Sequence, residues 1–434
     1  MTNSIMKYEN LMAEILSGGN LSVAYGQVMS NRGSAGVDGM EVEDLQAYLK
    51  DHLGSLKQSL KAGAYTPQPV LGVELPKANG GVRKLGIPTV VDRMIQHAIH
   101  QILSRIWEPA FSDYSYGFRP ERNAAQALAQ ATQYINAGYQ DIIDLDLKSF
   151  FDNVDHDKMM GLLRRKISDK VLLGLIRKYL RAGIVYDGHY SKRRKGTPQG
   201  GPMSPLLSNI LLTELDNELS NRGIRFVRYA DDCSMFLKSK QSAYRVLSNI
   251  TRFLERKLKL EVNEEKTSVC RPVRLELLGH CFTSTYKKGE RGKYRLSISK
   301  KSWKRLKEKI KLITKKTSPI PFEERIQRLN WLMWGWVNYF KHATGYEKFK
   351  YLDSWIRCRL RYCIWKAWKN PKRRYRAFRQ LGLSLAKARQ FCYSRLGGWR
   401  IACSPIMGTT VTETRFKMRG YQSFSSYYHK VRPK

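Results

Sequence analysis

Three stretches of the sequence hold residues whose types and spacing could do chemistry. In IRFVRYADDCSMFLK (224–238) two apolar, strand-like runs flank Asp231 and Asp232, which puts adjacent carboxylates at the tip of a hairpin. Two neighbouring anions repel and favour a cation, although an Asp-Asp turn read without context is usually just a solvated turn. In YQDIIDLDLKSFFDNVDH (139–156) the apolar run Ile142, Ile143, Leu145, Leu147 is interrupted by Asp144 and Asp146. A carboxylate near the end of a buried strand is costly unless it is paired or binds metal. Carboxylates from separate strands are what a two-magnesium phosphoryl-transfer site needs: one ion lowers the pKa of an attacking hydroxyl and the other neutralises a leaving pyrophosphate. The third stretch is RRKGTPQGGPMSPLLSNILLTELD (193–216). Its glycines at 196, 200 and 201 and prolines at 198, 202 and 205 make a stiff loop that another backbone can approach closely, with Gln199 held on it. Ser204 is expected as a helix N-cap and Pro205 as the first helical residue, with Leu207, Ile210, Leu211 and Leu215 on one face.

Elements on either side must position these groups. Residues 1 to about 62 read as helical, with Leu11, Ile15 and Leu16, then Leu45, Leu49 and Leu53, at helical spacing around a turn-rich loop, NRGSAGVDG (31–39). Two strand signals, VLGVELPK and VRKLGIP, flank Asn79-Gly80, a strong hairpin signal. Helical periodicity returns in VVDRMIQHAIHQILSRIW and again after GFRPERN (117–123). Strands and helices alternate from Asp141 to about Phe282. Three helices are expected over 300–317, 323–342 and 348–369, the first with an apolar stripe of Trp303, Leu306, Ile310 and Ile313 and with Lys304, Arg305, Lys307 and Lys311 on its other faces. Beyond Pro371 the basic, aromatic-rich tail has no clear pattern.

The charge is lopsided. The chain has 434 residues, 77 of them basic and 37 acidic, for a net charge of +40. From Cys281 onward there are 39 basic but only 7 acidic residues, which leaves 38 and 30 before it. A nearly balanced enzyme body followed by a strongly basic last third implies a polyanionic partner, nucleic acid above all. The seven cysteines form no zinc spacing and read as reduced thiols of a cytoplasmic protein. The N-terminal residues have no signal-peptide pattern, and no apolar run of about 18 residues exists to span a membrane.

Taken in order, the YADD box (229–232), DLDLKSFFD and GTPQGGPMSPLLSNI resemble the palm motifs of reverse transcriptases. The resemblance implies an α+β right-hand polymerase: fingers, a palm with an antiparallel sheet, a three-helix thumb and a small basic DNA-binding-like domain at the C-terminal end. It implies that Asp146 and Asp231 hold two Mg²⁺ ions with the Leu147 carbonyl, and that Asp232 supports them. Asp144 and Asp152 do not match the metal position. Phe151 matches a steric gate against the ribose 2′-hydroxyl, Gln199 lies near the incoming nucleotide, and Lys266 matches a basic residue after the catalytic hairpin. Lys77 and Arg83, on the arms of the Asn79-Gly80 hairpin, match a fingers clamp on the triphosphate.

The surroundings resemble group II intron proteins, compact bacterial ones without an endonuclease domain. RGSAGVDG, LPKANGGVRKLGIPTVVDRMIQHAI and YSYGFRPERNAAQAL look like their N-terminal and fingers motifs, and LNWLMWGWVNYF (329–340) looks like their maturase thumb signature. The implied domains are 1–62 (N-terminal extension and start of the fingers), 63–285 (fingers and palm), 286–370 (thumb) and 371–434 (basic nucleic-acid-binding domain). The implied partners are intron RNA, an RNA template with a DNA primer, target DNA and deoxynucleoside triphosphates. The basic side chains expected to grip nucleic acid are Lys304, Arg305, Lys372, Arg373, Arg374 and Arg376. Trp331, Trp334 and Trp336 are read as helix-packing residues rather than base stackers. Two rival readings share the resemblance: a domesticated reverse transcriptase in DNA repair or phage defence, and an RNA-binding splicing cofactor without catalysis. The intact Asp146, Asp231 and Asp232 speak against the second.

Overall fold

In the computed structural model, which describes residues 7–76, 82–285, 289–290 and 292–433, the acidic strand and the acidic hairpin share one sheet. Eleven strands occur among the described residues. They are β1 (Val70–Pro76), β2 (Val82–Ile87), β3 (Asp141–Leu145), β4 (Ile184–Tyr186), β5 (His189–Ser191), β6 (Arg225–Tyr229), β7 (Asp232–Leu237), β8 (Ser268–Cys270), β9 (Glu276–Leu277), β10 (His280–Ser284) and β11 (Tyr294–Ile298). They form three sheets, β2-β1-β4-β5, β6-β7-β3-β8 and β11-β10-β9, embedded among helices, so the chain is α+β as expected. It divides into two units at Arg271/Pro272. The β9–β11 sheet therefore belongs to the second unit, whereas the sequence placed its own boundary at 285.

In the first unit the central sheet is antiparallel throughout. β3 pairs with β7 (Leu145 opposite Cys233) and with β8, and β6 pairs with β7 (Tyr229 opposite Asp232). Ile142, Ile143, Leu145 and Leu147 are buried, as their spacing required. The helix Ser204–Asn221 packs Leu207, Ile210, Leu211 and Leu215 into the same core. Ser204 is not its N-cap. Met203 holds that position, and the Ser204 hydroxyl instead donates back to the Pro198 carbonyl at 2.7 Å and meets the Thr197 hydroxyl at 2.8 Å. The side chain that looked like a cap fastens the glycine-rich loop to its helix.

The helix Val90–Trp107 starts at a Thr89 cap, and its buried Asp92 accepts hydrogen bonds from Tyr65, Gln68, Thr89 and Tyr179. That buried carboxylate ties three segments to the base of the β1–β2 hairpin. The turn carrying Lys77, Asn79 and Gly80 lies outside the described residues; the two arms pair antiparallel, with Leu75 opposite Arg83.

The second unit holds the three expected helices, Lys300–Ile313, Phe322–Phe340 and Tyr346–Ala367, around Leu306, Ile310, Leu329, Met333, Val337, Ile356 and Leu360. The unassigned tail folds into six short helices between Pro371 and Val431 and contributes Phe378, Phe416, Phe424 and Tyr428 to the same core. Trp336 packs against Trp303, Phe340 and Phe349 as expected. Trp331 does not pack: it is 57% exposed, on the outer face of its helix. Among the described residues no helix is long and apolar enough to cross a membrane.

Candidate active site

Ala230 and Asp231 form the two-residue turn between β6 and β7. Ala230 takes a positive φ of 60° there, a conformation in which glycine is ordinarily favoured. The turn is held from beneath. Arg228, fully buried in β6, makes a bidentate pair with Asp216 (2.7 and 2.6 Å) and donates from Nη1 to Asn209 Oδ1 and to the Ala230 carbonyl, both at 2.9 Å. Asn209 in turn donates to the Gly117 carbonyl at 2.9 Å. Gly117 lies so close that a Cβ there would stand 2.3 Å from the Ala230 nitrogen. A buried guanidinium tolerates its desolvation only with partners of this quality.

Asp146 comes at the end of β3. Its amide donates to the Thr267 hydroxyl (3.1 Å), its carbonyl accepts from the Asn263 amide (2.9 Å), and Leu147 bridges Val262. Lys266, on the same returning segment, places Nζ 3.3 Å from Asp146 Oδ2. Asp231 and Asp232 both feel the charge of Asp146. Burial, with the charge of Asp146 adding to it, raises the Asp231 carboxyl above its ordinary range, and Arg83 and Arg228 oppose the shift. Asp232 reaches solvent, yet it is ringed by enough protein to be desolvated. With the charges of Asp231 and Asp146 added, its carboxyl is pushed up to about 6.

The glycine-rich loop connects this centre to its surroundings. Thr197 N donates to the Phe151 carbonyl and Gly196 N to the Val154 carbonyl, both at 2.7 Å, and a Cβ on Gly196 would stand 2.7 Å from the Asp152 carbonyl oxygen. On its other side the Gln199 carbonyl accepts from Gly86 N at 2.8 Å, on the strand that carries Arg83. The loop thus links the half-buried Phe151 to β2 through main-chain bonds that side chains at these glycines would block.

The first unit therefore contains Arg83, Asp146, Leu147, Phe151, Gln199, Asp231, Asp232 and Lys266, while Lys77 lies outside the described residues. Lys304, Arg305, Lys372, Arg373 and Arg376 are exposed on the second unit. Arg374 differs from them: its guanidinium lies 4.2 Å from the centre of the Trp365 ring and is half-buried. Sequence reasoning missed Arg228, Asp216, Asn209 and Thr267. The available signal was a charge inside each of two apolar runs, Arg228 in RFVRYA and Asp216 closing SPLLSNILLTELD.

Among the described residues no three His, Cys, Asp or Glu side chains are grouped as a ready metal site. The donors present are hard oxygens: the Asp146 and Asp231 carboxylates, Asp232 beside them, and the Leu147 carbonyl. Asp231 and Asp232, desolvated and with the charge of Asp146 acting on both, form an anionic cluster that a hard divalent cation would relieve, so the residues fit such an ion.

Residues 75–282 match the family described as "Reverse transcriptase (RNA-dependent DNA polymerase)", and residues 303–382 the "Group II intron, maturase-specific domain". The chain is 33% identical over 312 residues to the group II intron-encoded protein LtrA of Lactococcus lactis subsp. cremoris, an alignment covering 57% of this chain and 52% of that one. It is 33% identical over 308 residues to the protein YkfC of Escherichia coli (62% and 81%), and 27% identical over 248 residues to the retron Mx65 reverse transcriptase of Myxococcus xanthus (53% and 55%). It thus spans about half the length of LtrA and about four-fifths of YkfC. With the acidic turn inside the polymerase match and the maturase match following on the same chain, the protein belongs to the reverse transcriptase and maturase family encoded by group II introns.

Proposed function

We propose that this chain is an RNA-directed DNA polymerase that copies intron RNA into DNA, and a maturase that helps its intron RNA fold and splice. The carrying observation is the pair of desolvated carboxylates Asp231 and Asp232 at the β6–β7 turn, within electrostatic reach of Asp146 at the end of β3 and inside the polymerase match. The family requires a divalent metal. Here Asp146, Asp231 and the Leu147 carbonyl would hold two Mg²⁺ ions, which when bound lower the pKa of the primer hydroxyl and neutralise the leaving pyrophosphate.

The chain's own residues then divide the work. Asp232 supports the turn, and Lys266 offsets the charge of Asp146. Arg83, already within electrostatic reach of Asp231, takes the triphosphate together with Lys77. Phe151 blocks a ribose 2′-hydroxyl, and Gln199 presents a polar group to the deoxynucleotide from a loop anchored on both sides. In this reading residues 63–285 are fingers and palm, 286–370 the thumb, and 371–434 a basic grip on intron RNA and target DNA, in a bacterial cytoplasm. The test is extension of a DNA primer on an RNA template by the full chain after chelation. Synthesis should be absent, return with Mg²⁺, and require deoxynucleotides; synthesis that ignores divalent ions would exclude the proposed site.

A further inference from the structure

The second unit contains a cavity of about 850 Å³. It opens between the loop before the helix Phe322–Phe340, the last turn of Tyr346–Ala367, the end of Pro371–Gln380 and the short helix Glu413–Met418. Its apolar and aromatic wall includes Phe322, Trp368, Leu381 and Phe416. Lys316, Lys366, Lys369, Arg415 and Arg419 also line it, and all five are exposed. Among the described residues lining it none is Asp or Glu.

These cations do not all do the same job. Arg325, also on the wall, is buried and spends its guanidinium on the carbonyls of Ile313, Lys315 and Ser318, so it holds the loop. Arg415 ties the Leu381 carbonyl at 3.1 Å. Arg419 lies 5.2 Å from the centre of the Phe322 ring, which sets a guanidinium beside an aromatic ring on the lining. Lys366, in the last turn of Tyr346–Ala367, and Lys369, just beyond that helix, also line the cavity.

We propose that this cavity receives one unstacked RNA nucleotide, its base against the aromatic wall and its phosphates on Lys366 and Lys369. Three features favour that occupant. The volume lies within the ordinary range of pockets for small organic groups. The lining carries positive charge and no negative charge, which suits phosphate and disfavours an acidic protein segment. Cations beside aromatic planes are how an extruded base and its backbone are held together, and such bases occur in bulges and loops of folded RNA. The proposal rests on the RNA-binding reading of the second unit and adds to it a preference for unpaired bases at one place.

The test uses the full chain and three labelled RNA hairpins: one fully paired, one with a single bulged nucleotide, and one with an abasic residue at the bulge. Binding is read by fluorescence anisotropy. The wild type should bind the bulged hairpin roughly tenfold more tightly than the other two, the size expected for one stacked base. Ala367→Trp, which fills the cavity from an exposed position, should erase that preference while leaving the paired hairpin's affinity and primer extension unchanged. Lys366→Gln with Lys369→Gln, both on the surface, should also reduce the preference and flatten its salt dependence by about two phosphate contacts, so the test does not depend on one variant folding. Equal affinity for all three hairpins in the wild type, or a preference that survives the filled cavity, overturns the proposal while general RNA binding stands. Abasic and bulged hairpins binding alike also overturns it, in favour of a bent backbone. Failure to bind any hairpin overturns the RNA-binding reading as well.

Discussion

Phe151 and Arg228 represent two ways in which one side chain could set the proposed activity. In the proposed role Phe151 acts by volume. Phe151→Val should let ribonucleotides be incorporated at least about tenfold more readily while deoxynucleotide use is largely kept, because a clash and not a charge discriminates; competition between ATP and dATP on the same template measures it, and an unchanged ratio removes Phe151 from the site. Arg228 acts through Asp216 and Ala230. Arg228→Met leaves the Asp216 carboxylate buried and unpaired, which should cost about 3–5 kcal/mol in urea unfolding. Arg228→Met with Asp216→Leu should recover much of that stability but not the extension rate, since the Ala230 carbonyl has lost its clamp. Recovery of both would make the pair purely structural.

A third residue gives the second unit a pH response. His280 is buried, and its Nδ1 donates to the Leu278 carbonyl while Nε2 has no hydrogen-bond partner among the described residues. Burial pushes its pKa down to about 4. A group whose folded pKa is depressed stabilises the fold above its ordinary value of about 6.5 and loses that contribution as pH falls toward 4. Stability of the second unit should therefore drop by up to ~3 kcal/mol over that window at about 1.4 kcal/mol per pH unit, and His280→Gln should remove that slope.

At the scale of elements, much was legible and the reason is periodicity. The apolar run of Ile142, Ile143, Leu145 and Leu147, interrupted by Asp144 and Asp146, pointed to β3, the apolar stripe of Leu306 and Ile310 to the first helix of the second unit, and Asn79-Gly80 to a hairpin whose two arms pair. The carboxylates of the site were legible because charges in apolar runs need a reason. What holds them was not: Arg228 meets Asp216 across 12 positions, and Thr267 meets Asp146 across 121, contacts that only tertiary folding creates. Ser204 was misread because a serine before proline has the form of a cap, while the fold uses it to tie down a loop.

The tail gave no sequence signal because its helices are short and stand only by packing. Asp353, buried in the helix Tyr346–Ala367, accepts from the amides of Phe424 and Ser425, the Ser425 hydroxyl and, at 3.3 Å, the Tyr421 hydroxyl. Asp353→Ala should free residues 421–431 and cost about 2–4 kcal/mol, a loss of several charge-assisted bonds at once. Limited proteolysis should then cut near residue 420 well before the rest of the chain.

For the whole molecule, the charge is unevenly divided: the first unit carries the candidate acidic cluster and the second most of the net positive charge. Neutralising Lys372, Arg373 and Arg376, which are exposed, should weaken intron RNA binding and make its log–log salt slope shallower by up to about 3, while extension on a short unstructured template changes little. Equal loss of both activities would place these residues on the primer–template instead. The central claim is that Asp231 is a metal ligand of a polymerase, and it is tested most directly by single-turnover extension with Asp231→Ala alongside RNA binding by the same preparation. Removing one ligand of the reacting centre should cut extension roughly a thousandfold or more. RNA affinity should stay level or rise slightly, because one negative charge has gone. Extension near the wild-type rate, with binding intact, would contradict the assignment of this site.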